Sequence, residues 1–122
     1  MSQLETTINN YFENRSEVKL DSVQEELRHA ITDVINGLDS GELRVAEKQN
    51  NSWTVHQWIK KAVLLSFAIN GNKPIDGGFT SYFDKVPQKF SGLSEDEFNR
   101  IGARVVPPAL ARQGSYIAPG VV

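Results

Sequence analysis

Two histidines, a lysine pair, an aromatic and acidic run, a cluster of three acids and one arginine are the residues here whose types could do chemistry. His29 and His56 stand far apart, with no second histidine at i+4 and no His-Glu-x-x-His motif, so the spacing argues against a metal site. His56 falls in the first turn of an apolar helix, where a structural role is expected. Lys60 and Lys61 could meet coenzyme phosphates, but at the edge of that helix they read as its solvated side. Tyr82, Phe83 and Asp84 could line a ligand pocket; ring packing, with Asp84 capping or pairing with Lys85, is the stronger expectation. Glu95, Asp96 and Glu97 resemble an acidic site, yet three acids in a first helical turn are what the helix dipole favours. No serine sits in a nucleophile-elbow sequence and no glycine-rich loop joins a strand to a helix. Arg104, before Val105-Val106-Pro107-Pro108, reads on its own as a surface or ion-pair residue. No catalytic residue is expected in this chain.

The elements that must position these residues are announced by capping boxes. Ser2 and Glu5 open a helix predicted from Gln3 to Asn14, with Leu4, Ile8, Tyr11 and Phe12 at helical spacing. Ser22 and Glu25 open a second, carrying Val23, Leu27, Ala30, Ile31, Val34 and Ile35, with Asn36-Gly37 as its expected stop. Glu42–Lys48 and Ser52–Val55 read as a hairpin around Gln49-Asn50-Asn51. An isolated hairpin is marginal in water, so its apolar face is expected against helices or another strand. Thr54 and Gln57 are expected to cap the most apolar helix, from Val55 to Asn70, whose stripe is Trp58, Ala62, Leu65 and Ile69. Residues 71–81 read as loop, most mobile at Gly77-Gly78, and 82–87 as an extended segment closed by Pro87. Ser94 and Glu97 cap a short helix, Glu95 to Ile101, with Leu93 and Phe98 as a hydrophobic staple and Gly102 as stop. The fold class is mainly α with a small β-hairpin, an α+β arrangement.

Composition narrows the function classes. A net charge of −2, with lysines and arginines scattered, argues against nucleic acid or an anionic membrane as partner. The absence of cysteine excludes disulfides and thiolate sites. The apolar run Ala62–Leu65 falls far short of the roughly 20 residues of a membrane span. The first residues lack the basic and apolar regions of a secretory signal, so a cytoplasmic location is expected.

The last residues read differently from the rest. Pro107-Pro108 bars helix and central strand alike. Ile117-Ala118-Pro119-Gly120-Val121-Val122 then fits one hexad of a left-handed β-helix, a repeat that needs roughly three or more stacked units for a core. Five blocks occur in one order: Leu43–Lys48, Trp53, His56–Phe67, Tyr82–Pro87 and Arg104–Pro108. Over essentially the whole chain they resemble the N-terminal part of the tetrahydrodipicolinate N-succinyltransferase family. The resemblance implies a helical N-terminal domain, residues 1–103, with the hairpin at about 42–55. Residues 104–122 would be a linker and the first hexapeptide coil of a left-handed parallel β-helix absent from this chain. It also implies that Arg104 binds substrate, its planar fork suited to one carboxylate of a dicarboxylate acceptor. Succinyl-CoA would be the co-substrate of the full-length enzyme, a homotrimer, with no cofactor bound by this segment; the remainder of the enzyme would be its partner and the segment alone inactive. Two other readings stand beside it: a standalone helical binding or regulatory module, and the N-terminal domain of a related acyltransferase with another acceptor.

Overall fold

The computed structural model describes residues 2–122. In chain order these form α1 (Gln3–Glu13), a 3-10 turn (Arg15–Glu17), α2 (Glu25–Ser40), β1 (Ala46–Gln49), β2 (Ser52–Val55), α3 (Gln57–Ile69), β3 (Lys73–Asp76), β4 (Ser81–Asp84) and α4 (Glu95–Ile101). Every side chain in the buried apolar core comes from the first three helices: Ile8 from α1, Leu27, Ala30, Ile31 and Val34 from α2, and Ile59, Ala62, Leu65 and Ile69 from α3. Each fully buried large side chain contributes about 1.5–3 kcal/mol. The α3 stripe is therefore centred on Ile59, with Trp58 only partly buried at its flank.

The helix boundaries depart from the capping-box reading at two of its four places. Ser2 Oγ accepts from the Glu5 N–H, 3.1 Å, and starts α1 as expected. Ser94 and Glu97 form a complete reciprocal box, and Gly102, at φ 75°, stops α4 at the expected residue. Ser22, however, is in a turn, its N–H donating to Lys19 O, and α2 begins after Gln24 with no side-chain cap. Thr54 lies inside β2 opposite Glu47, so α3 begins after His56 instead. The second helix also runs past Gly37 to Ser40, ending on Gly41 at φ 84°. Gly37 is buried because Leu43 folds back onto it; an added Cβ would stand 2.7 Å from Leu43 Cδ1.

The first hairpin forms with a two-residue turn, Asn50 and Asn51, both at positive φ. Its apolar side chains stay outside: Trp53 is 71% exposed and Val55 51%. The expectation that this face packs on helices is thus not met. A second antiparallel hairpin, β3 with β4, replaces the expected 71–81 loop, and Gly77 and Gly78 lie in its turn. Pro74 is compatible with it because each strand has only one neighbour, leaving an unpaired side for the missing N–H.

Residues beyond α3 add nothing to the buried core and are held mostly by hydrogen bonds. Lys89 N–H donates to Ala111 O and Gln113 N–H to Pro87 O, both 2.9 Å, bridging the stretch that follows β4 to the C-terminal segment. Asp39, at the end of α2, ties both to the bundle. Its carboxylate meets Lys89 Nζ at 2.8 Å and accepts from Gly114 N–H at 3.0 Å, while its carbonyl also accepts from Lys89 Nζ. The Tyr116 ring covers Gly41, and the Arg44 guanidinium stacks 4.7 Å from that ring's centroid.

The Lys89 side chain is only 10% exposed, Asp39 34%. Removing the acid strands a buried ammonium, whereas removing the base leaves a carboxylate that water can reach. Asp39→Ala is expected to cost about 3 kcal/mol in urea unfolding and Lys89→Met clearly less. Equal losses would contradict this asymmetry.

Candidate functional site

Arg104 lies on a fixed piece of backbone. Its N–H donates to Val121 O, 2.9 Å, while Gly120 N–H donates to Gly102 O, 2.8 Å, so one loop of chain closes just beside it. Pro107-Pro108 follows, then a turn in which Ala109 N–H reaches Val106 O. The side chain is exposed and makes no hydrogen bond or ion pair with any described residue. A guanidinium so placed presents its donors outward, which suits a carboxylate arriving from outside this chain.

The other expected site residues disperse. His29 is exposed, 3.7 Å from Glu25. His56 Nε2 lies 3.0 Å from Glu47 Oε1, fastening the first hairpin to the start of α3; the hairpin register brings in a carboxylate that the linear spacing did not reveal. Lys61 is occupied by α1, donating to Asn9 Oδ1 at 3.0 Å beside Glu13. Glu97 is spent on the capping box. No group of three metal-ligating side chains occurs among the described residues. No helix among the described residues is long and apolar enough to cross a membrane.

Asp84 pairs with Arg112, 2.6 Å, rather than with Lys85. The pair borders a cleft of about 800 Å³ between α2 and α3 on one side and the β3–β4 hairpin and residues 112–114 on the other. Asp84 and Lys85 line this cleft; Tyr82, Phe83 and Arg104 do not. The Asp84 carboxyl is held below the usual carboxylate range, first by the Lys85 backbone N–H and then by Arg112. A smaller groove surrounds Tyr11, whose hydroxyl donates to Gln24 Oε1 and Glu26 Oε2; partial burial and the Glu26 charge raise its pKa. Sequence reasoning missed Asp39, Lys89 and Arg112, none of which sits in a recognisable local motif.

The sequence model described as "Tetrahydrodipicolinate N-succinyltransferase N-terminal" matches residues 3–69, the three core helices and the first hairpin. The chain belongs to the tetrahydrodipicolinate N-succinyltransferase family. It is 55% identical over 97% of its length to the 2,3,4,5-tetrahydropyridine-2,6-dicarboxylate N-succinyltransferase of Methylococcus capsulatus, covering 44% of that protein. Over its whole length it is 52% identical to the Acinetobacter baylyi protein of the same name and 54% to that of Proteus mirabilis, covering 45% and 44% of them. The chain thus spans less than half the length of the relatives it matches.

The lowered Asp84 pKa has a definite sign. The carboxylate is stabilised by folding above its unfolded pKa near 4, and that contribution fades as pH falls through the lower folded value. Asp84→Asn should reduce the urea midpoint at pH 7, and the deficit should close in strong acid. A deficit that does not change with pH would remove the carboxylate charge from the explanation.

Proposed function

We propose that this chain is the N-terminal, acceptor-side domain of a longer acyltransferase. The enzyme would move succinyl from succinyl-CoA to the amino group of the ring-opened form of tetrahydrodipicolinate, L-2-amino-6-oxopimelate, in lysine and diaminopimelate biosynthesis. Identity above one half, over nearly all of the chain, to proteins named for that transfer carries the reading. In the reaction the amino nitrogen attacks the thioester carbonyl, the new C–N bond forms, the C–S bond breaks and coenzyme A leaves as its thiolate. The ammonium proton must first pass to a base. Arg104 has no side-chain hydrogen-bond or ion-pair partner among the described residues, which supports a reading in which the base and the coenzyme groove belong to the rest of the enzyme.

Arg104 is the residue assigned to the acceptor. A dicarboxylate needs at least one planar, two-pronged donor, and the exposed guanidinium is unpaired among the described residues. Its backbone is pinned to Val121 and stiffened by Pro107 and Pro108, which lowers the ordering cost of binding. Residues 104–122 are read as the entry to a left-handed β-helix of hexapeptide repeats. In support, residues 120–121 run beside 102–104 in the same direction. The full-length enzyme is read as a cytoplasmic homotrimer whose contacts lie chiefly in that solenoid. Nucleic acid and membrane play no part in the reading.

In the full-length enzyme, Arg104→Ala should raise KM for the dicarboxylate about 10–100-fold, the loss of one charged hydrogen-bonding group, and leave KM for succinyl-CoA nearly unchanged. Arg104→Lys should restore only part of it, since an ammonium lacks the fork. Equal damage toward both substrates would refute the assignment. The 122-residue chain alone should release no coenzyme A from succinyl-CoA in the presence of the acceptor and scatter light as a monomer; turnover would place the transfer site in this domain after all.

A further inference from the structure

We infer that the cleft between the helical bundle and the second hairpin is a binding site for a small organic anion with an apolar body, separate from Arg104 and independent of succinyl transfer. β3 and β4 pair only with each other, so hairpin and bundle face one another across open space. The volume, about 800 Å³, falls within the range typical of ligand pockets, roughly 300–1,000 Å³. Ile35, Val63 and Phe67 supply an apolar wall, and Phe67 keeps 41% of its surface exposed there.

The rim is cationic in a chain whose net charge is −2. Arg28, Lys73, Lys85 and Arg112 line the cleft against a single acid, Asp84, and Arg112 neutralises that acid. Arg28, Lys73 and Lys85 make no side-chain hydrogen bond or ion pair with any described residue. They come from α2, from β3 and from the residue just after β4, so the bundle and the hairpin both bring unpaired cations to one place. A concave surface with low-dielectric walls concentrates such a field. Bare inorganic anions would leave the apolar wall wet, and apolar molecules would leave the cations unanswered. The ligand class that uses both is a carboxylate or phosphate carried on a short aliphatic chain or a ring.

The test is a fluorescence titration of the 122-residue chain with 8-anilinonaphthalene-1-sulfonate, an aromatic anion of suitable size. One saturable site is expected. Lys85→Gln and Lys73→Gln should each weaken it about 3–10-fold, the loss of one charge-assisted contact at a partly solvated site. Lys48→Gln, an exposed cation outside the cleft, should bind as the parent does. Circular dichroism reports whether each variant keeps its fold. Hexanoate or phenyl phosphate should displace the dye, the stronger competitor identifying the head group. Equal affinity of the Lys85 and Lys48 variants, displacement by inorganic phosphate at the same concentration, or displacement by neither organic anion would overturn the proposal.

Discussion

Asp39 is the joint on which the second half of the molecule hangs. The apolar core is complete by Ile69, and no later side chain enters it. Residues 85–122 therefore bring only partly buried side chains, such as Phe90, Phe98 and Ile117, and directional bonds carry much of their attachment. One carboxylate at the end of α2 answers an ammonium from Lys89 and an N–H from Gly114, gathering two distant stretches at one point. Charge-assisted bonds in a half-buried setting are among the stronger polar contacts. Their geometry also sets a register: once Lys89 and Gly114 are placed, the flanking pairs Lys89–Ala111 and Gln113–Pro87 fall into line.

That division explains why the molecule leaves so much apolar surface outside. Trp53, Val55, Phe79 and Phe83 sit on two hairpins that bury little of their own. Two-stranded ribbons have too small a face to make a core. Here they survive by being tied at their roots. The first is fastened through His56 to Val45 by a backbone bond of 2.7 Å and to Glu47 by the imidazole. The second is fastened by Asp84 to Arg112. Polar anchoring at the base frees the tips from packing duty.

The three core helices, the first hairpin and α4 were legible because their signals are local: apolar residues at helical spacing, an Asn-Asn turn, a serine and a glutamate three apart. What failed were signals with two claimants. Thr54 has the sequence of a cap, yet β2 needs it opposite Glu47, and the strand prevails because His56 extends the ladder to Val45. Gly37 has the sequence of a stop, yet its missing Cβ serves the close approach of Leu43, and Gly41 four residues later takes the left-handed position. The second hairpin was hidden because Pro74 and two glycines suppress strand propensity, while an edge strand tolerates the proline and the turn takes both glycines. In each case the deciding partner is remote in sequence or lies on another element.

The same contrast separates the two proposed sites. Arg104, the residue proposed for the acceptor, stood out through a short motif read by family resemblance, and its surroundings fit that proposal. Backbone bonds hold its Cα, Pro107 and Pro108 stiffen the chain beyond it, and no neighbouring acid competes for the guanidinium. Leaving an exposed arginine without an ion pair costs the domain little, because surface pairs contribute only about 0–1 kcal/mol. If Arg104 takes a carboxylate, as proposed, no resident pair has to break first. The cleft cations had no motif at all. Arg28, Lys73 and Lys85 are scattered along the chain, and only the distance left between bundle and hairpin makes them neighbours. A site made by one residue on a stiff loop can be read along the chain; a site made by the gap between two elements exists only once both are folded.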